Sequence, residues 1–441
     1  MGETASIKVI DNEDWSFRGA DTKYLTHGLH PYPARMIPQI SRRLLERYAS
    51  RGDVILDPFC GSGTVLVEAR LHGVNSMGFD INPLACLLAS IKSTPIDPLK
   101  IRKCWKTLKA RVGEKIAWLK FRQVDVAVPD FTGTNIEYWY KPETMKELTI
   151  IRNELMQIGD DETRMFFDVP FSITARKVSG TRKGEFKLLR IPEDKWRKFS
   201  PNVYETFVDC VEDAIRRMEE FYKRCDRRVF SRVFMADTRK MLSREFPEEA
   251  NKLLAEKPPK IIITSPPYGD SRTTVAYGQF SRLSALWLDF EKGFDRNTIM
   301  AVDKISLGGD PRKIMKVDLP ILHSVLELIR EKDSHRRSRD KEVASFFSDL
   351  YACLEKMYEV LLDGGYCCIV IANRTVRRVQ IPTHLIIAEM GVKVGFNRDV
   401  VIIPRDIPTK RLPWENAPEN IPGLKGRTMS RENIVIMRKQ D

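Results

Sequence analysis

Nowhere in the 441 residues do about 18 apolar residues run uninterrupted, which excludes an ordinary transmembrane helix. The opening stretch, MGETASIKVIDNEDW, is polar and acidic and has no apolar signal core. Secretion is therefore not expected, and a cytoplasmic location is. Cysteine is sparse and scattered: eight residues, at 60, 86, 104, 210, 225, 353, 367 and 368, with no CxxC among them. They read as buried thiols in a reducing compartment, neither a disulfide frame nor a zinc site. The six histidines form no cluster with cysteine at ligand spacing, so no metal is expected. No internal repeat is present.

What is there suits a packed enzyme. Hydrophobic residues make up 42% and charged residues 30%, enough for a core and against wholesale disorder. Lysine plus arginine number 73 against 60 acidic residues, a net charge of +13. That excess fits a polyanionic partner, and equally a basic enzyme from a basic proteome. The length allows two to four domains, or one large domain with insertions.

Patterning points to a doubly wound, mostly parallel α/β sheet. Ile37 to Tyr48 has helical spacing of apolar residues. Residues 53–57, DVILD, form a β-branched run stopped by Pro58, which predicts a buried parallel strand. Thr64 to Leu71 predicts a helix with Gly73 as its stop, Ser76 to Asp80 a second strand, and Pro83 to Ser90 the next helix. From 96 to 230 the character changes. Charged helical segments at 101–121, 141–158 and 201–224 flank a basic stretch without clear period, Ala175 to Ser200. Strands return at Val233–Asp237 and Lys260–Thr264. A helix at Leu350–Leu362, an Asp363-Gly364-Gly365 turn and a strand at Tyr366–Ala372 follow. Val400–Pro404 and Asn433–Arg438 predict a closing antiparallel pair at the sheet edge. Residues 331–341, EKDSHRRSRDK, read as a solvated charge run or a phosphate-contacting surface.

The first strand runs into Asp57-Pro58-Phe59-Cys60-Gly61-Ser62-Gly63-Thr64. Gly61 and Gly63 permit close ligand approach. The turn lacks the lysine of a P-loop and the third glycine of a dinucleotide fingerprint, so neither a nucleoside triphosphate nor NAD is the natural ligand. Asp80, ending the second strand, is positioned to accept hydrogen bonds from ribose hydroxyls, or alternatively to cap the following helix. Asp57 beside the turn disfavours phosphate and suits a cationic amine. An adenosine with an ammonium group and no phosphate describes S-adenosyl-L-methionine.

DPFCGSGT resembles motif I of class I methyltransferases in the form used by DNA amino-methyltransferases. Ile261-Ile262-Ile263-Thr264-Ser265-Pro266-Pro267-Tyr268 resembles their motif IV, and Tyr32-Pro33-Ala34 lies in a segment resembling motif X, which packs over the methionine end of the cofactor. The resemblance implies cofactor contacts from Tyr32, Pro33, Ala34, Asp57, Phe59, Cys60, Gly61, Ser62, Gly63, Thr64, Asp80, Ile81, Asp237 and Thr238. Asp237 would hydrogen-bond the adenine amine, or cap the turn before Thr238. It implies a catalytic loop of Ser265, Pro266, Pro267 and Tyr268. In it the serine hydroxyl and the Pro266 carbonyl accept hydrogen bonds from the target amine, while Tyr268 stacks on a flipped base. A serine at the first position resembles the cytosine-N4 enzymes; adenine N6 and an RNA base amine remain open.

The motif order resembles the α arrangement, with 1–95 and 231–441 as the two halves of the methyltransferase domain and 96–230 as the target-recognition region. Candidate contacts to double-stranded DNA there are Arg176, Lys177, Arg182, Lys183, Lys187 and Arg190. The resemblance further implies a prokaryotic enzyme associated with the nucleoid through DNA, a cognate restriction endonuclease as functional partner, and no membrane.

Overall fold

The computed structural model describes residues 5–122, 125–269, 274–288, 296–312, 314, 317–332, 339–407 and 430–441. In chain order the strands are β1 (Ser6–Val9), β2 (Val54–Asp57), β3 (Asn75–Asp80), β4 (Ser231–Met235), β5 (Ile261–Thr264), β6 (Tyr366–Ala372), β7 (Arg374–Val376), β8 (Val379–Ile381), β9 (Asp399–Asp406) and β10 (Arg431–Arg438). The helices of the first half are α1 (Pro38–Tyr48), α2 (Thr64–Leu71), α3 (Pro83–Ser93), α4 (Pro98–Arg122), α5 (Pro142–Leu155), α6 (Asp161–Lys177), α7 (Glu193–Arg197) and α8 (Val203–Arg224). Those of the second half are α9 (Glu248–Glu256), α10 (Tyr277–Trp287), α11 (Arg296–Ile305), α12 (Pro320–Lys332), α13 (Arg339–Val360) and α14 (Thr383–Val394).

Eight strands form one sheet in the order β1-β9-β10-β6-β5-β2-β3-β4. The central pairs β4–β3, β3–β2, β2–β5 and β5–β6 are parallel, and β10 runs antiparallel to both β6 and β9. The doubly wound class follows from the sequence period. Alternate residues of a strand point to opposite faces. Ile55, Ile261, Ile263, Cys368 and Val370 join one core with α1 and α2. Leu56, Ile262, Cys367, Ile369 and Ile371 join another with α9, α12, α13 and α14. The chain winds outward through β2, β3 and β4, then returns to the far side of β2 with β5. Ligands in such sheets bind at that reversal, beyond the strands' carboxyl ends.

The structure amends several expectations. The antiparallel pair β9–β10 is present but is not the edge: β1 adds to β9 in parallel and takes that position. The strand expected at Val233–Asp237 ends at Met235, and the helix expected from Leu350 begins at Arg339. Residues 96–230 are mainly helical, with α6 in addition to the expected segments. Their apolar faces share one core with α3 and α10, so packing across 96–230 is continuous with the flanking halves. Of the charge run at 331–341, residues 333–338 lie outside the described residues, as does the loop at 270–273.

Candidate active site

The turn after β2 is shaped by two left-handed residues. Gly63 has φ +82° and caps α2, and a Cβ there would lie 2.6 Å from the Ala89 Cα of α3. Gly61 has φ +48°, and a Cβ on it would lie 3.5 Å from the Tyr32 ring. Glycine at 63 therefore lets α2 close on α3, whereas glycine at 61 serves the backbone path. That path aims the Gly61 amide at Asp80 Oδ2, 3.0 Å away, while the Asn82 amide donates to Asp80 Oδ1 at 2.8 Å. Asp80 is thus a fixed strand-end acceptor. The cap of α3 is Asn82, whose side chain accepts from the Leu84 amide, so the alternative of Asp80 as that cap falls.

Asp57 sits one strand away and is buried. Thr264 Oγ1 at the end of β5 donates to Asp57 Oδ1 at 2.6 Å, and the Phe59 amide donates to the same oxygen at 3.2 Å. Burial pushes Asp57 up to about 7 despite these donors, with the Asp80 charge adding to the rise. Burial likewise pushes Asp80 up to about 6, against its backbone donors.

A single cleft gathers these groups. Of the expected cofactor residues, Tyr32, Pro33, Ala34, Asp57, Phe59, Cys60, Gly61, Ser62, Thr64, Asp80, Ile81, Asp237 and Thr238 line it, and Gly63 stands behind. Ser265 and Pro267 line the same cleft; Pro266 and Tyr268 do not. The reversal of winding between β3 and β5 brings the two motifs together. Tyr32 is buried, its ring stacked 6.0 Å from Tyr277, and its hydroxyl accepts from the Asn82 amide group at 3.2 Å. The Ser62 hydroxyl is buried with no hydrogen-bond partner among the described residues, a group that a bound ligand would satisfy.

Asp237 lines the cleft and also caps the short helical turn Thr238–Lys240, accepting from the Arg239 amide at 3.0 Å. Its carboxylate holds the Arg239 guanidinium, Nη2 to Oδ2 2.7 Å, and that guanidinium also pairs with Asp349 at 2.9 Å. The capping alternative is therefore present in the fold. Tyr268 is partly buried, and its hydroxyl donates to Glu432 Oε1 of β10 at 2.8 Å.

Other cleft residues carry no motif signal. Arg35, half-buried, donates Nη1 to the His27 carbonyl at 2.6 Å and lines the cleft. Val302, Ile305, Ser306 and Leu307, at and just after α11, line the cleft across from Asp237. Arg35 follows directly on the motif X residues and was within reach of the sequence; the α11 segment was not.

The basic candidates divide. The Arg176 guanidinium donates to the carbonyls of Phe280 at 3.0 Å and Glu185 at 2.7 Å and lies 4.1 Å from the Phe280 ring centroid. Arg190 packs over Tyr138 and Trp196 at 4.2 and 4.3 Å. Both are committed to the fold because an arginine over an aromatic face is well held there. Lys177, Arg182, Lys183 and Lys187 are exposed. The segment carrying Lys183 and Lys187 abuts α10, where the Leu188 amide meets Gln279 Oε1 at 3.4 Å, two residues from cleft-lining Tyr277.

The family described as DNA methylase matches residues 9–90. The type II methyltransferase M.MvaI of Kocuria varians is 36% identical over 445 residues, covering 98% of this chain and 95% of its own. The type II methyltransferase M.MjaII of Methanocaldococcus jannaschii is 26% identical over 317 residues, 56% of this chain and 59% of its own. A solved rRNA methyltransferase, aviRa from Streptomyces viridochromogenes, aligns over 93% of this chain and 88% of its own at 10% identity, with a TM-score of 0.29, too low to bear on the fold.

Proposed function

The chain belongs to the type II methyltransferases, and from that premise we propose that it transfers a methyl group from S-adenosyl-L-methionine to the exocyclic N4 amine of a cytosine in a specific double-stranded DNA sequence. The observation that carries the reading is one cleft in which Ser265 and Pro267 face the Gly61–Asp80 turn. When bound, the cofactor supplies an electrophilic methyl on a positively charged sulfur.

The chain's residues suit that ligand. Asp80, fixed by two amide donors, retains lone pairs for ribose hydroxyls. Buried Asp57 favours an ammonium, and Arg35 has donors left for a carboxylate. The buried Ser62 hydroxyl gains a partner. Asp237 serves the adenine amine while keeping its turn capped.

At the other end of the cleft the residues answer a difficulty of the substrate. A base amine is a poor nucleophile because its lone pair is delocalised into the ring. Ser265 Oγ, in the cleft, accepts a hydrogen bond from its N–H and favours attack; the carbonyl of Pro266, which does not itself line the cleft, is assigned the second hydrogen bond by the motif resemblance, and the two prolines hold these acceptors still. Tyr268 offers a face for the base once it is flipped from the duplex. Lys183 and Lys187, exposed beside α10, neutralise backbone phosphates near the site. The enzyme acts as the modification partner of a restriction endonuclease in the cytoplasm.

The test is incubation with labelled S-adenosylmethionine and either plasmid DNA or total RNA, followed by digestion and mass identification of the nucleoside. N4-methylcytosine from DNA is expected. N6-methyladenine would move the assignment to the adenine enzymes, which the amino-methyltransferase resemblance also covers. Label in RNA alone would reject the DNA reading.

A further inference from the structure

A serine hydroxyl can give or take a hydrogen bond. For Ser265 to accept from a base amine, its own hydrogen must be directed elsewhere. Ser265 Oγ donates to Tyr268 Oη at 3.4 Å, and Tyr268 donates to Glu432 Oε1 at 2.8 Å. The first distance is long for a hydroxyl pair, as such contacts often are before substrate binds.

The direction of this chain is set at its far end. Glu432 Oε2 is ion-paired with Arg405, which stands directly opposite it in the β9–β10 register. Arg405 is 5% exposed, and its Nε donates to the Trp15 carbonyl at 3.0 Å. A carboxylate so paired has no hydrogen to give. The Tyr268 hydrogen must therefore point to Glu432. Burial, and then the Glu432 charge, raise the Tyr268 phenol well above its ordinary range, so that hydrogen is retained. The Tyr268 oxygen is left as an acceptor toward Ser265. The Ser265 hydrogen turns away from the cleft and its lone pairs turn into it.

We infer that Glu432 is a positioning residue that fixes the polarity of the Tyr268–Ser265 hydroxyl chain, making an ambivalent serine an obligate acceptor for the base amine. The inference rests on the amine-methyltransferase reading above. Glu432 does not line the cleft and touches no reacting atom, so it acts through Tyr268.

Single-turnover methylation of DNA separates this role from a merely structural one, using the full chain as wild type, Tyr268→Phe, Glu432→Gln and the double variant. Cofactor affinity is measured on each. Tyr268→Phe keeps the ring and loses only the hydroxyl. It should slow the single-turnover rate about 10- to 100-fold, with cofactor and DNA affinity unchanged. Glu432→Gln should slow it comparably, and the double variant should be no slower than the slower single, because both act through the same hydrogen. A Tyr268→Phe rate within about twofold of wild type overturns the inference, as do multiplicative effects in the double variant. Should Glu432→Gln fail to bind cofactor through misfolding, Glu432→Asp takes its place: it keeps the charge beside Arg405 and shortens the reach to Tyr268, and a wild-type rate in a Glu432→Asp variant that binds cofactor overturns the inference. Wild-type protein that methylates no DNA amine would instead overturn the underlying reading, a result distinct from either of these.

Discussion

Thr264 and Asp57 join the ends of two neighbouring strands: the threonine hydroxyl donates 2.6 Å to the carboxylate, both groups buried. The contact ties the residue before Ser265 to the acid that ends β2 and opens the glycine turn. Thr264→Val keeps the shape and removes the donor. The partner left behind is a buried carboxyl with one amide, so denaturant unfolding should show a loss of about 1–3 kcal/mol. A midpoint equal to wild type would show that the bond contributes no net stability.

Cofactor binding should expel protons. Asp57, pushed up to about 7, and Asp80, to about 6, are partly protonated in the free protein. Folded values above the usual carboxylate range mean the native chain holds more protons than the unfolded one between about pH 4 and 7. Their contribution to stability therefore falls as pH rises through that window. An ammonium beside Asp57 and ribose hydroxyls on Asp80 favour the charged forms, so S-adenosylmethionine affinity should strengthen as pH rises through about 6–7. Calorimetry in two buffers of different ionisation enthalpy should register net proton release at about pH 6.5. Proton uptake would remove Asp57 from the ammonium contact. Asp80→Ala should weaken binding by about 1–3 kcal/mol in a folded protein.

The two glycines of the turn should respond differently to alanine. At 63 both the left-handed backbone and the 2.6 Å approach to Ala89 oppose a Cβ, so Gly63→Ala should cost upward of about 2 kcal/mol of stability. At 61 the space is ordinary, and Gly61→Ala should cost about 1 kcal/mol from its backbone alone. Urea unfolding of the pair gives the comparison, and equal losses would mean that the α2–α3 contact gives way.

Among the basic residues, those held by the fold should separate from those left in solvent. Lys183→Glu with Lys187→Glu should weaken DNA binding and flatten its salt dependence, with thermal stability unchanged. Arg176→Ala should lower stability through loss of two carbonyl contacts and ring packing. A wild-type salt slope in the lysine variant would move the phosphate contacts elsewhere on the surface.

Strands β2 and β5 at the centre of the parallel core were legible because each is a short β-branched run stopped by a nearby proline, and Thr64–Leu71 and Tyr366–Ala372 fall where the pattern sets them. What escaped has physical reasons. Strand β1 is four exposed residues with no face to bury. Helix α6 carries Pro170 and is buried on most sides, with Phe166, Phe167, Val169 and Phe171 all in the core, so no amphipathic stripe marks it. The β7–β8 hairpin turns on Arg377 and Arg378 at φ +48° and +61°, where asparagine and glycine would be the usual signal. The turn at 57–64 and the loop at 264–268 could be singled out because each motif is contiguous in the sequence. Glu432 could not: it sits in an alternating strand, 164 residues beyond the tyrosine it holds.

The pairing of β2 with β5 also bears on how the chain is made. Ile55 and Leu56 find their partners, Ile261 and Ile262, roughly 200 residues later. At about 5–20 residues per second, translation takes on the order of 10–40 s to deliver them. Strands β3 and β4 can dock on one side of β2 during that interval, but its other edge stays open, a template to which stray strands add. Chaperone occupancy on the ribosome should therefore be concentrated on nascent chains that have passed the helical layer and have not yet released β5.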